Sequence, residues 1–164
     1  MGVTHAVMDS PLGELTLVGG DGALAGLYFA GQRNRPRPGR LGRLAPAYFA
    51  EPVRQLGEYF AGRRTAFDLD LDLHGDEFDR RVWALVAAIP YGQTRSYGEL
   101  ARELGDPGLA QQVGVANARN RLCIVVPCHR VVGADGRLTG YAGGLARKRA
   151  LLELEAPVPA GRLF

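Results

Sequence analysis

The chain has 164 residues, of which 46% are hydrophobic and 23% charged, with a formal net charge of +3. This composition is typical of a folded protein and excludes a disordered chain, and the length suits one domain or a small domain and a subdomain. No apolar run could span a bilayer and no secretory signal opens the chain, so we expect a cytoplasmic protein. The two cysteines, Cys123 and Cys128, are too few for a disulfide framework or a cysteine-rich zinc site.

Charge is distributed unevenly along the chain. Residues 1–77 hold 8 basic and 10 acidic side chains, whereas residues 78–164 hold 12 and 7. Every basic residue except Lys148 is an arginine, and the planar guanidinium group of arginine can donate two parallel hydrogen bonds to a phosphate. The net charge alone favours an ordinary solvated surface over a nucleic-acid partner.

Short β-prone runs open the chain. Turn residues separate Thr4–Met8, Glu14–Val18 and Ala23–Phe29, which predicts a hairpin and a third strand. The arginine-rich segment Arg33–Arg43 contains prolines and glycines and is predicted to be a loop. A mobile, solvated loop is one interpretation of it, and a strip that meets DNA phosphate is the other.

A helix and an alternating segment follow. Apolar residues at helical spacing predict a helix over Pro46–Phe60. From Phe67 to Leu73, apolar residues alternate strictly with Asp68, Asp70 and Asp72, which predicts a half-exposed strand with an acidic outer face.

The second half begins with an apolar stripe from Phe78 to Ile89, typical of a helix with Asp76 as its N-cap. Ser96 and Glu99 then form a capping-box pattern, which predicts a helix over residues 97–104. A second helix is expected from Asp106 to about Ala118, so the pair is a candidate helix-turn-helix.

The remaining segments are short. Cys123–Val126 is a β-prone run, and Val131-Val132 with Arg137–Thr139 suggests a turn-linked pair of strands. Leu145–Glu155 is predicted to be the last helix.

Cys128 is the main candidate for chemistry, in the sequence Val126-Pro127-Cys128-His129-Arg130. A thiolate is a strong nucleophile, a nearby histidine can take its proton, and a carboxylate can hold that histidine in the right tautomer. Adjacent side chains on a strand point to opposite faces, so the pair needs a turn here, and Pro127 is consistent with one. The alternative for a cysteine is a small buried hydrophobe, which is the interpretation we give Cys123.

The sequence predicts neither a metal site nor a cofactor. The histidines and cysteines lack the short ligand spacings of zinc sites, and the three aspartates are best explained as a solvated strand edge. No glycine-rich loop matches a P-loop or a dinucleotide fingerprint.

Longer segments resemble a known family. IVVPCHRVVG, followed by LTGYAGGLARKRALLELE, strongly resembles the active-site region of O6-alkylguanine-DNA alkyltransferases, the methylated-DNA–protein-cysteine methyltransferases. FDRRVWALVAAIPYGQTRSYGELARELG resembles the family's helix and first helix-turn-helix segment. THAVMDSPLGELTLVGGDGALAGLYF resembles, more loosely, its N-terminal subdomain. The resemblance implies an α+β fold with a ribonuclease-H-like antiparallel sheet plus helix over residues 1–75. Residues 76–164 would form a mostly helical DNA-binding and alkyl-acceptor domain.

The resemblance also implies a reaction, direct-reversal DNA repair. The alkyl group of O6-alkylguanine, and of O4-alkylthymine, in a flipped-out base would move irreversibly to Cys128, so that each molecule acts once. His129 would deprotonate Cys128 through a water, and Glu155 would orient His129. Tyr97 would protonate the leaving guanine, and Asn120 would bridge the recognition helix and the active-site segment.

The implied partner is double-stranded DNA, bound by a monomer whose second helix enters the minor groove, with no cofactor and no metal. The implied DNA-binding residues lie in or near the helix-turn-helix or beside the cysteine: Ser96, Ala110, Gln111, Gln112, Gly114, Arg119 and Arg130. The implied pocket residues flank Cys128 or lie in the glycine-rich segment: Pro127, Val131, Tyr141 and Gly143.

Two positions depart from the family pattern. Gln111 stands where the family usually has an arginine that fills the gap left by the flipped base. Arg121 stands where the family tends to have proline. We expect weaker duplex binding, or compensation from Arg119, Arg121 or the Arg33–Arg43 loop.

Two other functions stay open at this point. An alkyltransferase-like binding module would recognise alkylated bases and recruit other repair factors, but such relatives generally replace the reactive cysteine. A thiol that scavenges alkyl groups from small molecules is the third possibility.

Overall fold

An antiparallel sheet forms the first part of the chain in the computed structural model, which describes residues 2–157. Strands β1 (Thr4–Met8), β2 (Leu15–Gly20) and β3 (Ala23–Phe29) pair in sequence order. A short β4 (Arg43–Leu44) adds parallel to β1, which gives the order β3-β2-β1-β4. The predicted hairpin and third strand are confirmed.

The arginine-rich loop contains a single 3₁₀ turn at Pro38–Arg40 and ends at β4. A second 3₁₀ turn, Pro46–Phe49, leads into helix α1 (Ala50–Phe60). The predicted helix over this region is therefore confirmed, although its first turn is wound more tightly.

The prediction of a regular strand over residues 67–73 is wrong. Its apolar side chains are half-buried and its aspartates exposed, as the alternation predicted. However, only Leu71 forms a bridge, opposite Leu24 at the start of β3. The same edge of β3 is taken further along by Leu122, which bridges Leu27. In this parallel register residues 67–69 lie opposite positions before β3 begins, so a ladder cannot extend along the whole segment.

The second part of the chain is mainly helical. Helix α2 (Glu77–Ala87) begins at Asp76, whose carboxylate accepts the Asp79 amide at 2.8 Å. The helix-turn-helix consists of α3 (Tyr97–Glu103), a 3₁₀ turn (Pro107–Leu109) and α4 (Ala110–Ala118). Helix α5 (Leu145–Glu155) has the predicted bounds.

Residues 123–126 form turns instead of the predicted strand, because the backbone reverses direction there. Ile124 adopts a left-handed conformation with φ 73°, and the Val125 amide donates to the Cys123 carbonyl at 2.8 Å. The strand β6 (Val131–Val132) pairs in parallel with β5 (Arg95–Ser96). Residues 137–139 form no strand, since the Gly133 amide instead closes a turn on Arg137 at 2.8 Å.

The two parts of the chain share a continuous apolar core. The Leu27 amide of β3 donates to the Arg121 carbonyl at 2.8 Å, which fixes the sheet against the segment that leads to Cys128. The Trp83 indole of α2 donates to the Ala116 carbonyl of α4 at 2.8 Å. Within residues 2–157, no helix is both long and apolar enough to cross a membrane.

Candidate active site

A tight backbone turn presents the predicted nucleophile. The Cys128 amide donates to the Val126 carbonyl at 2.7 Å, and residues Cys128–Arg130 form one 3₁₀ turn that Pro127 precedes. The sequence required such a turn if cysteine and histidine were to cooperate, and the structure contains it. The turn leads directly into β6.

Two asparagines brace this turn. The Asn120 amide donates to the Val126 carbonyl at 2.8 Å while its carbonyl accepts from the Leu122 amide at 2.9 Å. Asn117 of α4 donates to the carbonyl of Cys128 at 3.2 Å. Helix α4 and the cysteine turn are therefore joined directly by the hydrogen bond from Asn117.

The Cys128 side chain is buried among groups that favour its thiolate. A hydrogen bond with Cys123 is the largest influence and lowers the pKa of Cys128, against the opposing effect of burial. The side chain of Asn120 and the ammonium of Lys148 lower it further. The result is a cysteine whose pKa lies below its ordinary value, as nucleophilic catalysis requires.

His129 is held as a neutral base. Its Nε2 lies 2.8 Å from Glu155, and both side chains are fully buried. Burial is the main cause that lowers the pKa of His129, and it outweighs the attraction of Glu155. An ionised carboxylate only accepts, so Nε2 carries the proton and Nδ1 keeps the lone pair. That Nδ1 is buried and has no hydrogen-bond partner within residues 2–157.

Glu155 receives hydrogen bonds from three side chains. Besides His129, Arg130 donates from Nε to Oε1 at 2.7 Å and from Nη2 to Oε2 at 2.9 Å, and the Tyr59 hydroxyl donates to Oε2. Burial alone would raise the pKa of Glu155, but the hydrogen bonds from His129, Arg130 and Tyr59 lower it to about 2. The carboxylate is therefore ionised at neutral pH.

The assignment of Arg130 to DNA contact is wrong. Its side chain is buried, and its third nitrogen, Nη1, donates to the Ile89 carbonyl at 2.7 Å. All three of its nitrogens donate to groups inside the protein, two of them to Glu155, so the side chain is directed away from the surface.

Two buried residues of the site escaped the sequence analysis. Tyr59 comes from α1, 96 residues before Glu155, so no local pattern could pair them. Lys148 is fully buried and donates to the Val131 carbonyl at 2.7 Å and to the Thr139 carbonyl at 3.1 Å. Lys148, Leu151 and Glu155 share one face of α5, and that spacing was the available signal.

The predicted pocket residues surround the turn. The Tyr141 ring meets Phe29 edge-on at 6.2 Å and His129 at 6.5 Å. A side chain at Gly143 would lie 2.6 Å from the Phe29 ring, so glycine is required there. The carbonyl of Val131, another predicted pocket residue, accepts a hydrogen bond from the Lys148 ammonium at 2.7 Å.

The helix-turn-helix residues have mixed environments. Ser96 is buried and accepts the Glu99 amide at 3.0 Å, and the Glu99 carboxylate accepts the Ser96 amide at 2.9 Å, so the predicted capping box is present. The Tyr97 hydroxyl lies 2.8 Å from Thr139 Oγ1, and its ring carbons would lie 3.6 Å from a Cβ at Gly114. A Cβ at this distance would make only an ordinary van der Waals contact, so the packing of α3 against α4 does not itself require glycine at position 114.

The outer face of α4 is polar and open. Gln111 and Gln112 are exposed, while Ala110 is half-buried. Arg119, at the end of α4, has an exposed side chain that pairs with Asp79 at 3.2 Å. Of the predicted DNA-binding residues, these four and the half-buried Gly114 are at least partly accessible, whereas Ser96 and Arg130 are buried.

These features are those of a DNA-binding helix-turn-helix protein with an activated cysteine. A family profile described as the DNA binding domain of 6-O-methylguanine DNA methyltransferase matches residues 77–157. The profile of the same family's ribonuclease-like domain matches residues 3–73.

Individual proteins agree with the profiles. The chain is 54% identical over 154 residues to the methylated-DNA–protein-cysteine methyltransferase of Mycolicibacterium paratuberculosis, which covers 93% of this chain and 92% of the relative. It is 50% identical to Mycobacterium tuberculosis OGT in a crystal structure with DNA, with a TM-score of 0.87 over 93% of this chain and 92% of that one. The chain belongs to the 6-O-methylguanine DNA methyltransferase family.

We predict that replacing Glu155 with glutamine reduces the loss of stability in acid. The pKa of Glu155 is about 2 in the folded protein against an ordinary 4.5. Its contribution to the free energy of unfolding is therefore complete above pH 4.5 and is lost as the pH falls toward about 2. From about pH 5 to about pH 3, the wild type should lose about 2 kcal/mol more unfolding free energy than Glu155→Gln. Urea denaturation at each pH measures this.

The exposed Glu153, on the same helix, provides the control, and Glu153→Gln should follow the wild type. If Glu155→Gln does not fold, the double variant Glu155→Gln/Arg130→Met is measured instead, because it removes both buried charges. Parallel pH profiles for the wild type and the Glu155 variant would contradict the prediction.

We also predict that Lys148→Met raises the pKa of Cys128. Burial lowers the pKa of Lys148 to about 8, so the ammonium is still charged at neutral pH and stabilises the nearby thiolate. Its removal should move the pH midpoint of chloroacetamide labelling at Cys128 upward by about one unit. Tandem mass spectrometry locates the label. Arg149→Met removes an exposed charge from the next position and should leave the pH midpoint of labelling unchanged. The same midpoint in the wild type, Lys148→Met and Arg149→Met would refute the role of Lys148.

Proposed function

We propose that this protein repairs O6-alkylguanine in duplex DNA by transferring the alkyl group to Cys128. The observation that carries this proposal is the buried series Cys128, His129 and Glu155, in which the histidine is neutral and its Nδ1 is free of protein partners within the described residues. Such a series activates a thiol without needing a cofactor.

The first step is proton removal from the thiol. Nδ1 of His129 holds the lone pair, and a bridging water would carry the Cys128 proton to it. The cation that forms is stabilised by Glu155, 2.8 Å from Nε2. Arg130 and Tyr59 keep Glu155 in place and ionised, so they act as positioning residues.

The second step is in-line displacement at the alkyl carbon. The Cys128 sulfur forms a bond to that carbon while the bond between the carbon and guanine O6 breaks. Tyr97 would supply a proton to the leaving guanine from its hydroxyl, which now contacts Thr139 Oγ1. A thioether carbon has no good leaving group, so Cys128 is not regenerated and each molecule acts once. O4-alkylthymine offers the same reacting atoms.

DNA would approach α4 through the minor groove, with the damaged nucleotide flipped toward Cys128 at a cost of about a few kcal/mol. Gln111 and Gln112 are the exposed groups at the start of α4 that would meet the groove. Asn117 and Asn120 hydrogen-bond the cysteine segment directly, so they would hold it in register with the bound helix.

Further features of the proposal concern the whole protein. A division at residues 75/76 into two domains is supported by the two family profiles, which match on either side of it. We propose that the protein acts as a monomer and without a metal. A cytoplasmic location is supported by the need to keep Cys128 reduced, since the cytosol maintains free thiols.

We predict that incubation with a duplex containing O6-methylguanine adds a single methyl group, about 14 Da, to Cys128, since alkyl transfer forms a stable thioether. Intact-mass and peptide mass spectrometry measure the product. An unmodified duplex, and the variant Cys128→Ala, should give no change.

Other outcomes separate the alternatives. Tight binding to the damaged duplex with no change in mass would overturn the proposal and favour a binding module. Methylation by a small alkylating agent but not by damaged DNA would favour a scavenger.

We predict that Gln111→Arg tightens binding to duplex DNA, because arginine adds a charge and reaches further than glutamine. An increase of about tenfold, equivalent to about 1.4 kcal/mol, is expected in a titration at fixed salt. A steeper salt dependence would identify the new contact as phosphate, and an unchanged slope as a base contact. Ala61→Arg places the same charge at the end of α1 and should bind like the wild type. Equal or weaker binding by Gln111→Arg would be evidence against Gln111 facing DNA.

A further inference from the structure

Arg147 of α5 joins the two parts of the chain close to the candidate active site. Its Nε donates to the Leu12 carbonyl at 3.1 Å, and its Nη1 donates to the Ala30 carbonyl at 2.9 Å. These carbonyls lie before the start of β2 and just after the end of β3, at the same end of the amino-terminal sheet. Alkyl transfer as described above gives this arginine no task.

The same guanidinium also holds the loop of residues 141–144, which we call the pocket loop. Nη1 donates to the Gly143 carbonyl at 3.3 Å, so one nitrogen bridges the sheet and the loop. Within residues 2–157, no other side chain donates a hydrogen bond to the backbone of this loop. Its backbone bonds are a turn, from the Gly144 amide to the Tyr141 carbonyl at 2.9 Å, and a bond at the start of α5, from the Lys148 amide at 3.1 Å.

Phe29, the last residue of β3, forms a wall behind the pocket loop. The Arg147 guanidinium lies over its ring, 4.9 Å from the centroid, and the Tyr141 ring meets it edge-on at 6.2 Å. The ring leaves no space at position 143, where a Cβ would lie 2.6 Å from it. The pocket loop therefore cannot retreat toward the sheet unless the Phe29 ring moves, and Arg147 covers one face of that ring.

Tyr141 connects this wall to the cysteine turn. Its ring centroid lies 6.5 Å from that of His129, and the two ring planes are nearly perpendicular, at 82°. The rings of Phe29, Tyr141 and His129 thus form a continuous series of contacts from the sheet to the base that would take the Cys128 proton. A displacement of the pocket loop therefore changes the space beside the cysteine turn.

We propose that Arg147 is a positioning residue, which fastens the pocket loop to the amino-terminal sheet and thereby limits the size of the alkyl group that Cys128 accepts. This role rests on the alkyl transfer proposed above. With the loop fastened, the pocket is closed around a small group, and a methyl carbon is held in line with the thiolate. With the loop released, the wall moves outward, so a small group is held less firmly and a bulky group gains room.

Single-turnover kinetics with two damaged duplexes test this role. Arg147→Met keeps a side chain of similar length over Phe29 but removes all three hydrogen bonds. At saturating duplex it should lower the rate constant for transfer from O6-methylguanine about tenfold and leave that from O6-benzylguanine nearly unchanged. The ratio of benzyl to methyl transfer should therefore rise about tenfold, while the Kd for each duplex stays the same because α4 is not altered.

The ratio separates positioning from stability, since a loss of folded protein would lower both rate constants equally. Arg149→Met removes an exposed charge from the same helix and should keep the wild-type ratio. If Arg147→Met does not fold, Arg147→Lys is measured instead. Lysine keeps the charge but lacks the planar group that reaches all three carbonyls, so it should raise the ratio by a smaller factor.

Hydrogen exchange provides a readout that needs no DNA. In Arg147→Met the amides of the pocket loop should exchange about tenfold faster than in the wild type, as mass spectrometry of peptic peptides measures. A wild-type ratio of benzyl to methyl transfer, or unchanged exchange in the loop, would overturn the proposal. A wild-type protein that transfers neither group would instead overturn the proposed function, and the exchange result would still decide whether Arg147 fastens the loop.

Discussion

The buried carboxylate of Glu155 is the group on which the rest of the site depends. An isolated charge in an apolar interior is costly, so it must be paired and hydrogen-bonded. Arg130 supplies the opposite charge in a bidentate pair, and His129 and Tyr59 supply further donors. Tyr59 belongs to α1, whereas His129 and Arg130 belong to the cysteine turn, so satisfying one carboxylate fixes α1, the cysteine turn and α5 relative to one another.

This arrangement keeps His129 neutral before proton transfer and still lets Glu155 stabilise the imidazolium afterwards, which a single ion pair would not do. If Glu155 faced only His129, its charge would favour the imidazolium and the ring would be a weak base for the thiol. Burial is the main cause that holds the pKa of His129 below its ordinary value, and the positive charge of Arg130 lowers it further. The histidine stays neutral until a proton arrives, and the carboxylate is already in place to stabilise the cation.

Local patterns predicted most of the helices and the nucleophile. Three predictions that depend only on neighbouring residues were confirmed: the helix with the apolar stripe before Pro90, the capping box at Ser96 and the bounds of α5. The strand at residues 67–73 failed because only Leu71 meets β3: in this parallel register residues 67–69 lie opposite positions before β3 begins, and Leu122 takes the edge at Leu27. Tyr59 and the inward-facing Arg130 could not be anticipated either, since each is defined by a partner far away in sequence. Residue type alone made Arg130 look like a phosphate ligand.

The separation between Tyr59 and Glu155 has a consequence for synthesis of the protein. Translation produces Cys128 and His129 before it produces Glu155, so a ribosome-bound chain has a thiol and an imidazole but not the carboxylate that completes the relay. The nascent cysteine therefore lacks its activation until α5 has been made and has docked against α1. The activated site is thus a property of the assembled fold, in which α1, the cysteine turn and α5 are in contact.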